Sequence, residues 1–307
     1  MTIGFLSDAF GFNFGIWNIV SMIAFVVLAP FVGGLLAGID RKITARMQGR
    51  FGPPILQPFY DVLKLTEKEP ITVNQYQDFY IGSFLFFIIL TGVFFFAGGD
   101  LLLVIFALTL ASVFMIVAAF SANSPYAQVG AERELLQMMA YEPMVLLTAV
   151  GFYMVIGTFD VIDVLSAKVP AIIYLPGVFV GFVYILTIKF RKSPFDLSMS
   201  HHAHQELVKG LSTELSGKTL ALLEIAHWYE NVFLLGFVFL FVAYTNWLSV
   251  VVAVVVCLLV YFFEVFIDNN FARMKWQVAM NSSWIVALTV GFINIFVLYF
   301  LKLFGVL

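Results

Sequence analysis

The sequence predicts an all-α integral membrane protein, a single transmembrane domain over residues 1–307 with about eight transmembrane helices and a short amphipathic surface helix. Three observations lead to this prediction: a composition too apolar for a soluble protein, apolar runs of about 20 residues, and Lys and Arg concentrated on alternate loops. The same charge pattern predicts that both termini lie outside the membrane.

The composition excludes a soluble enzyme. The chain is 62% hydrophobic and 11% charged, whereas soluble domains are about 45–50% apolar and about 25% charged. A net charge of −3 also argues against a nucleic-acid partner. The single cysteine, Cys257, cannot form an internal disulfide or hold an iron–sulfur cluster, which needs about four ligands. We therefore expect lipid around the chain and no cofactor bound by it.

The apolar runs are continuous, so they predict helices rather than the alternating strands of a membrane β-barrel. They lie at residues 15–38, 79–97, 101–120, 135–157, 171–190, 219–244, 247–267 and 280–303.

Fourteen of the 16 Lys and Arg residues fall in the odd-numbered loops, if Lys189 at the edge of loop 5 is counted with that loop, and Lys168 and Lys302 are the other two. Positive charge is retained in the cytoplasm, so loop 1 (39–78) and loop 5 (190–218) are predicted to be cytoplasmic. Within loop 1, Ile55, Phe59 and Leu63, with Val62 as a further candidate, share one apolar face, which predicts an amphipathic helix over about 54–68. A soluble partner could bind on this side.

Glu142 lies inside the fourth predicted span, next to Pro143. A charged group at membrane depth costs about 2.5–3.5 kcal/mol on insertion scales, so such groups usually face the bundle interior and have a function. We interpret Glu142 as a protonatable carboxylate on an ion path. The alternative is a buried Glu satisfied by a neighbouring helix.

Glu224, His227 and Glu230 recur every three residues along the sixth predicted span. This spacing places them along one side of a helix, and an acid–imidazole–acid series can relay protons because His titrates near neutral pH. The alternative is that Glu224 is simply solvated at the cytoplasmic end.

Loop 5 contains three of the four histidines: His201, His202 and His204. A metal site is conceivable, but the histidines lack the i, i+4 spacing of helical zinc sites. We therefore predict no metal ion here and favour a loop that lines a hydrated cavity.

Several stretches, in order along the chain, resemble one known family: the H subunit of respiratory complex I and its counterpart in energy-converting (group 4) membrane-bound [NiFe] hydrogenases. The resemblance covers nearly the whole chain. The matching stretches are GRFGPPILQPFYDVLKL at 49–65, Tyr141-Glu142, PFDL at 194–197, Glu206-Leu207 with Gly210, Glu214 and Ser216-Gly217, and DNNFAR at 268–273.

The resemblance implies a non-catalytic membrane subunit of an oxidoreductase complex in the plasma membrane, which couples electron transfer to H⁺ or Na⁺ translocation. It implies a hydrogenase-like large subunit and an iron–sulfur small subunit on the cytoplasmic side, with antiporter-like and small subunits in the membrane. The [NiFe] centre and the iron–sulfur clusters would belong to those partners. The implied coupling residues are Glu142, Asp196, Glu206 and Glu214, to which we add Glu224, His227 and Glu230. The expected docking residues are Arg46, Arg50, Gln57, Asp61, Lys64, Arg191, His201, His202 and His204.

Three departures favour the hydrogenase branch over a quinone-reducing complex. Lys189 replaces an acidic residue, the histidine stretch replaces an acid-rich run, and His227 stands where complex I commonly has a Glu; the short loop 1 is also similar to the hydrogenase branch. Three alternatives stay open: the same role in a sulfur- or quinone-reducing complex, a stand-alone secondary transporter, and a passive anchor.

Overall fold

The computed structural model describes residues 16–69, 71, 74, 76–199 and 208–304, and this part of the chain is helical. The last described helix, Trp276–Leu303, is α-helical at both ends and π-helical over Ala287–Phe292. The helices are α1 (Ile16–Met47), α2 (Gln57–Glu67), α3 (Gln77–Phe96), α4 (Leu101–Phe120), α5 (Pro125–Ile156), α6 (Val161–Leu165), α7 (Pro176–Lys189), α8 (Gly217–Val242), α9 (Trp247–Asn270) and α10 (Trp276–Leu303).

Among the described residues, seven helices are long and apolar enough to cross a membrane, at the positions of predicted spans 1–4 and 6–8. The fifth predicted span is shorter than expected: a 3₁₀ turn, Ala171–Ile173, precedes the 14-residue helix α7. Pro176 causes this break, since proline lacks an N–H and disfavours helical geometry in the residue before it. The helical membrane fold is confirmed, and the direction of each crossing remains a prediction.

Helix α8 is the centre of the bundle and packs against α1, α2, α3 and α9. Its side chains Phe233, Phe237 and Phe241 are at most 1% exposed and contact aromatic rings of the neighbouring helices. Lipid is as apolar as these rings, so close packing rather than escape from water stabilises the contacts. Each aromatic pair contributes about 0.5–1.5 kcal/mol beyond its buried area.

The amphipathic helix α2 docks on the bundle with part of the predicted apolar face. Pro58 and Val62 are buried and Phe59 is half-buried against the ring of Trp228, 5.2 Å away, whereas Leu63 is exposed. The ring of Phe59 rests on α1, where a glycine leaves room for it. Leu63 is therefore available to lipid or a partner.

The glycines of α1 permit this docking. A Cβ added at Gly38 would lie 1.8 Å from the carbonyl oxygen of Ile55. We expect Gly38→Ala to displace the 55–67 segment and to cost about 1–3 kcal/mol, as overpacking does. Protease protection of this segment and thermal unfolding of the purified protein measure the effect. Gly82→Ala is the matched control, because no atom lies within 4 Å of its added Cβ; equal behaviour of the two variants would contradict the prediction.

The described parts of loop 5 fold back into the bundle. Phe195, Leu197 and Leu211 are at most 5% exposed, and the Leu211 N–H donates to the Ser198 carbonyl at 3.1 Å. Gly130 of α5 allows the close approach, because a Cβ there would lie 2.6 Å from the Leu211 nitrogen. The loop therefore brings charged residues into the interior instead of leaving them in solvent.

Candidate functional site

Four buried charged residues from different segments meet inside the bundle, and we call them the inner cluster: Glu134 of α5, Lys189 of α7, Arg191 of loop 5 and Glu230 of α8. The guanidinium of Arg191 lies 2.8 Å from Glu134 and 3.5 Å from Glu230, and the Lys189 Nζ lies 3.2 Å from Glu230. Each side chain is at most 9% exposed. Two acids and two bases thus form one connected group without net charge.

Neutral polar groups complete the cluster. The Ser198 hydroxyl donates to Glu134, and the Lys189 Nζ lies 3.3 Å from the Ser112 hydroxyl and 4.4 Å from the centre of the Tyr141 ring. Such contacts are needed because buried ions lose several kcal/mol of hydration each. Burial opposes the charge on Arg191, but Glu134 and Glu230 outweigh it and raise the pKa of Arg191 above its ordinary value.

The end of α7 positions the two neighbouring basic residues of loop 5. Arg191 has a left-handed backbone, with φ of 51°, which costs about 1–2 kcal/mol for a residue other than glycine. This turn sends Arg191 into the inner cluster while Lys192 binds Asp40 of α1 at 2.6 Å and faces Asp268 of α9 at 3.7 Å. We call Asp40, Lys192 and Asp268 the lateral cluster.

The predicted coupling carboxylates surround these clusters. Glu142 is half-buried on α5, and the charge of Lys189 acts on it. Asp196 is buried, and its backbone carbonyl accepts a hydrogen bond of 2.6 Å from Arg273. Glu214 is half-buried in loop 5. Glu206 lies outside the described residues.

The three residues of the predicted α8 relay have different surroundings. Glu230 belongs to the inner cluster, and the His227 ring lies 6.0 Å from the Phe84 ring. Glu224 lines a cavity of about 290 Å³ between α2 and α8, together with Lys64, Lys68 and Lys209. The predicted α8 relay therefore begins with Glu224 at this cavity and ends with Glu230 in the inner cluster.

Known proteins resemble the chain over nearly its whole length. The family model described as NADH dehydrogenase matches residues 19–299. The chain belongs to this NADH dehydrogenase family. The H subunit of the NADH-quinone oxidoreductase of Geobacillus kaustophilus (strain HTA426) is 31% identical over 88% of this chain and 89% of its own length. Component C of hydrogenase-4 from Escherichia coli (strain K12) is 28% identical over 87% of this chain and 92% of its own length.

A solved structure extends the comparison to the fold. A chain of the membrane-bound sulfane sulfur reductase, an archaeal respiratory membrane complex, is 28% identical with a TM-score of 0.80, over 90% of this chain and 99% of that chain. The resemblance found in the sequence is thus confirmed. These relatives of the NADH dehydrogenase family are subunits of membrane complexes, which supports the predicted localisation as a multi-pass protein of the plasma membrane.

The predicted docking residues of this family member mostly lie at the surface. Arg46, Arg50 and Lys64 are exposed. Asp61 accepts hydrogen bonds from Arg41 at 2.5 Å and Gln57 at 2.9 Å. Burial alone would raise the pKa of Asp61, but these two hydrogen bonds and the charge of Arg41 hold it below its ordinary value.

Arg191 requires a correction. It is 7% exposed and its guanidinium is paired with Glu134 and Glu230, so it is an interior residue and not a docking group. His201, His202 and His204 lie outside the described residues. Within the described ranges, no three His, Cys, Asp or Glu side chains are grouped as metal ligands would be.

Sequence reasoning missed the inner cluster as a unit. Glu134 lies just before the fourth predicted span, which starts at residue 135, whereas α5 begins at Pro125 and Glu134 is buried within it. Lys189 was noted only as a departure from the family pattern. That departure was the available signal: a cation in place of an acid at the end of a span needs an acidic partner, which is Glu230.

Proposed function

We propose that this chain is the membrane subunit of a redox-driven ion pump, which holds a soluble redox arm on the cytoplasmic side and couples its electron transfer to H⁺ or Na⁺ translocation. The observation that carries the proposal is the inner cluster, a connected set of buried ions that joins loop 5 to α5, α7 and α8. Buried ion pairs are not a general source of stability, and ionisable groups inside a membrane usually mark ion pathways.

The coupling follows from the positions of Arg191 and Lys192. A movement of loop 5 caused by the redox state of the arm would shift both side chains, because they are adjacent in the chain. Arg191 would then change its distances to Glu134 and Glu230, and Lys189 would change the field on the nearby carboxyl of Glu142. A carboxyl that gains or loses a nearby cation changes its proton affinity, so loop movement becomes proton uptake or release.

The partners follow from the relatives. Component C of hydrogenase-4 belongs to a hydrogenase by its name, which supports a hydrogenase-like large subunit and an iron–sulfur small subunit as the arm. Their [NiFe] centre and iron–sulfur clusters would supply the electron transfer. Exposed Arg46, Arg50 and Lys64, with the α2 segment, would form the docking surface, and antiporter-like membrane subunits would receive the charge displacement.

A second candidate is the same role in a sulfur-reducing complex. The similarity of fold to a chain of the sulfane sulfur reductase favours it. Isolation of the intact complex separates the two: nickel together with hydrogen evolution indicates the hydrogenase, and iron without nickel together with reduction of sulfane sulfur indicates the sulfur reductase.

Glu142→Gln tests the coupling. We expect the complex to assemble and transfer electrons, while the number of ions pumped per electron falls to less than half, because the amide cannot bind and release a proton. The measurement is ion uptake against electron flux in vesicles that contain the complex. Glu132→Gln is the control, because Glu132 is an exposed acid on the same helix.

Two results would contradict the proposal. Normal pumping by Glu142→Gln would remove Glu142 from the path, and normal pumping after neutralisation of Glu214, Glu224 and Glu230 as well would leave the chain as a passive anchor. Ion transport by the purified chain alone in liposomes would instead indicate a stand-alone transporter.

A further inference from the structure

Glu264 of α9 is a buried acid that the inner cluster does not include. Its exposure is 0%, and neither carboxyl oxygen has a hydrogen-bond partner among the described residues. Buried polar groups are nearly always hydrogen-bonded, and an isolated carboxylate in a protein interior is too costly to persist in its charged form. The site therefore needs a proton, an approaching cation or both.

The charges around Glu264 belong to the lateral cluster. Lys192 and Asp268 act on Glu264 electrostatically. Lys192 is already shared, since its Nζ lies 2.6 Å from Asp40 and 3.7 Å from Asp268. Two carboxylates and one ammonium leave this region with an excess negative charge, and an ionised Glu264 would double that excess.

The elements that pack against α9 make polar contacts with other residues of this helix. Helix α1 contributes Asp40 and the Leu36 carbonyl, which accepts a hydrogen bond of 3.2 Å from the Tyr261 hydroxyl. Loop 5 contributes Lys192, whose Nζ lies 5.9 Å from the centre of the Tyr261 ring. Helix α8 contributes the Leu235 carbonyl, to which the Cys257 thiol donates. Lys192 is thus the cation whose charge acts on Glu264, and it belongs to a loop that also reaches the inner cluster.

We propose that Glu264 is a second proton-binding site, which exchanges its proton with Asp268 as Lys192 moves between the two carboxyl groups. In one state Glu264 carries the proton and Lys192 lies between Asp40 and Asp268. In the other, Lys192 pairs with ionised Glu264, and the proton is on Asp268. This inference rests on the proposed function, since it assigns a role in ion translocation.

The exchange conserves charge. The O–H bond of Glu264 breaks, an O–H bond forms on Asp268, and Lys192 moves the opposite way. Residues four apart on a helix lie about 5–6 Å from each other at Cβ, a distance that one water molecule can bridge. Asp268 also accepts a hydrogen bond of 2.8 Å from the Ser193 N–H of loop 5, so a movement of that loop acts on both Lys192 and the proton acceptor.

The test uses the intact complex and an apolar carbodiimide, which forms a stable adduct with protonated carboxyl groups inside membranes. We expect an adduct on Glu264, located by peptide mass spectrometry. Asp268→Asn should lower the yield of this adduct to less than half, because Lys192 then loses the attraction of Asp268, keeps only Asp40 as a partner and can pair with Glu264 and keep it ionised. Glu132→Gln, which alters an exposed acid on α5, should leave the adduct unchanged.

Pumping supplies the second readout. Glu264→Gln should reduce the ions pumped per electron to less than half, and Glu264→Asp should restore part of the loss. An unlabelled Glu264, an adduct that is unaffected by Asp268→Asn, or full pumping by assembled Glu264→Gln would each overturn the inference. If Glu264→Gln does not assemble, the labelling of the wild-type and Asp268→Asn complexes decides. Normal pumping by Glu142→Gln contradicts the proposed coupling path alone, because the labelling of Glu264 does not depend on it.

Discussion

Replacement of Arg191 by Leu should lower the free energy of unfolding by about 3–5 kcal/mol, which is the usual cost of breaking a buried ion pair from one side. Arg191 is the residue that binds both acids of the inner cluster, so its loss leaves Glu134 without its cation and Glu230 with Lys189 only. Denaturant titration of the purified complex in detergent measures the change, and the yield of assembled complex reports it in cells.

Two further variants test whether the lost ion pairs cause the expected loss of stability in Arg191→Leu. Lys168→Ala removes an exposed cation and should change stability by no more than about 0.5 kcal/mol, as surface substitutions do. Arg191→Lys keeps the charge but cannot reach two carboxylates with a planar fork, so its stability should lie between those of the wild type and Arg191→Leu. A wild-type stability for Arg191→Leu would show that the inner cluster does not hold loop 5 in place.

Reversal of the charge at Lys189 alone should have the second large effect on the free energy of unfolding. Lys189→Glu brings a new acid beside Glu230, close to Glu134, and we expect a loss of about 3–5 kcal/mol because the buried acids are left without sufficient cations. The double variant Lys189→Glu/Glu230→Lys restores one acid and one base at the same two positions. It should recover at least half of the loss, although Lys189 also contacts Tyr141 and Ser112 in the native arrangement.

A double-mutant cycle on unfolding free energies measures this coupling. We expect the double variant to have a higher free energy of unfolding than Lys189→Glu alone. If the double variant is as unstable as the sum of the two single variants, the 3.2 Å contact between Lys189 and Glu230 contributes nothing as a pair. Tyr141→Phe measures the share of the Tyr141 hydroxyl, which bonds to Ser112 and interacts with Lys189, because this variant keeps the ring that faces Lys189.

The two clusters give loop 5 a role that its length alone does not suggest. Arg191 and Lys192 are consecutive, yet one binds α5 and α8 while the other binds α1 and approaches α9. Two adjacent cations therefore connect four helices, and a small displacement of one backbone segment alters both sets of contacts. This arrangement is what a coupling subunit requires, because an event at the docking surface must reach carboxyl groups in the interior.

The sequence by itself determined the fold class, the family and the positions of seven spans. Each of these depends on local properties: continuous apolar runs, prolines, and short motifs in a fixed order. The apolar run of the fifth span was also recognisable in the sequence, and Pro176 marks the residue at which its helix begins. The sequence also identified Glu142 and Glu230, because an acid in an apolar run is conspicuous without knowledge of its neighbours.

Only the tertiary structure decided which charges meet. Glu134 and Arg191 are 57 residues apart, Lys189 and Glu230 are 41 apart, and Lys192 and Asp40 are 152 apart. No periodicity connects residues on different helices, so their pairing depends on helix packing and on the backbone turn at Arg191. The same turn moved Arg191 from the expected docking surface to the interior. Among the acids that the structure describes, Glu264 is distinguished by burial with neither carboxyl oxygen hydrogen-bonded.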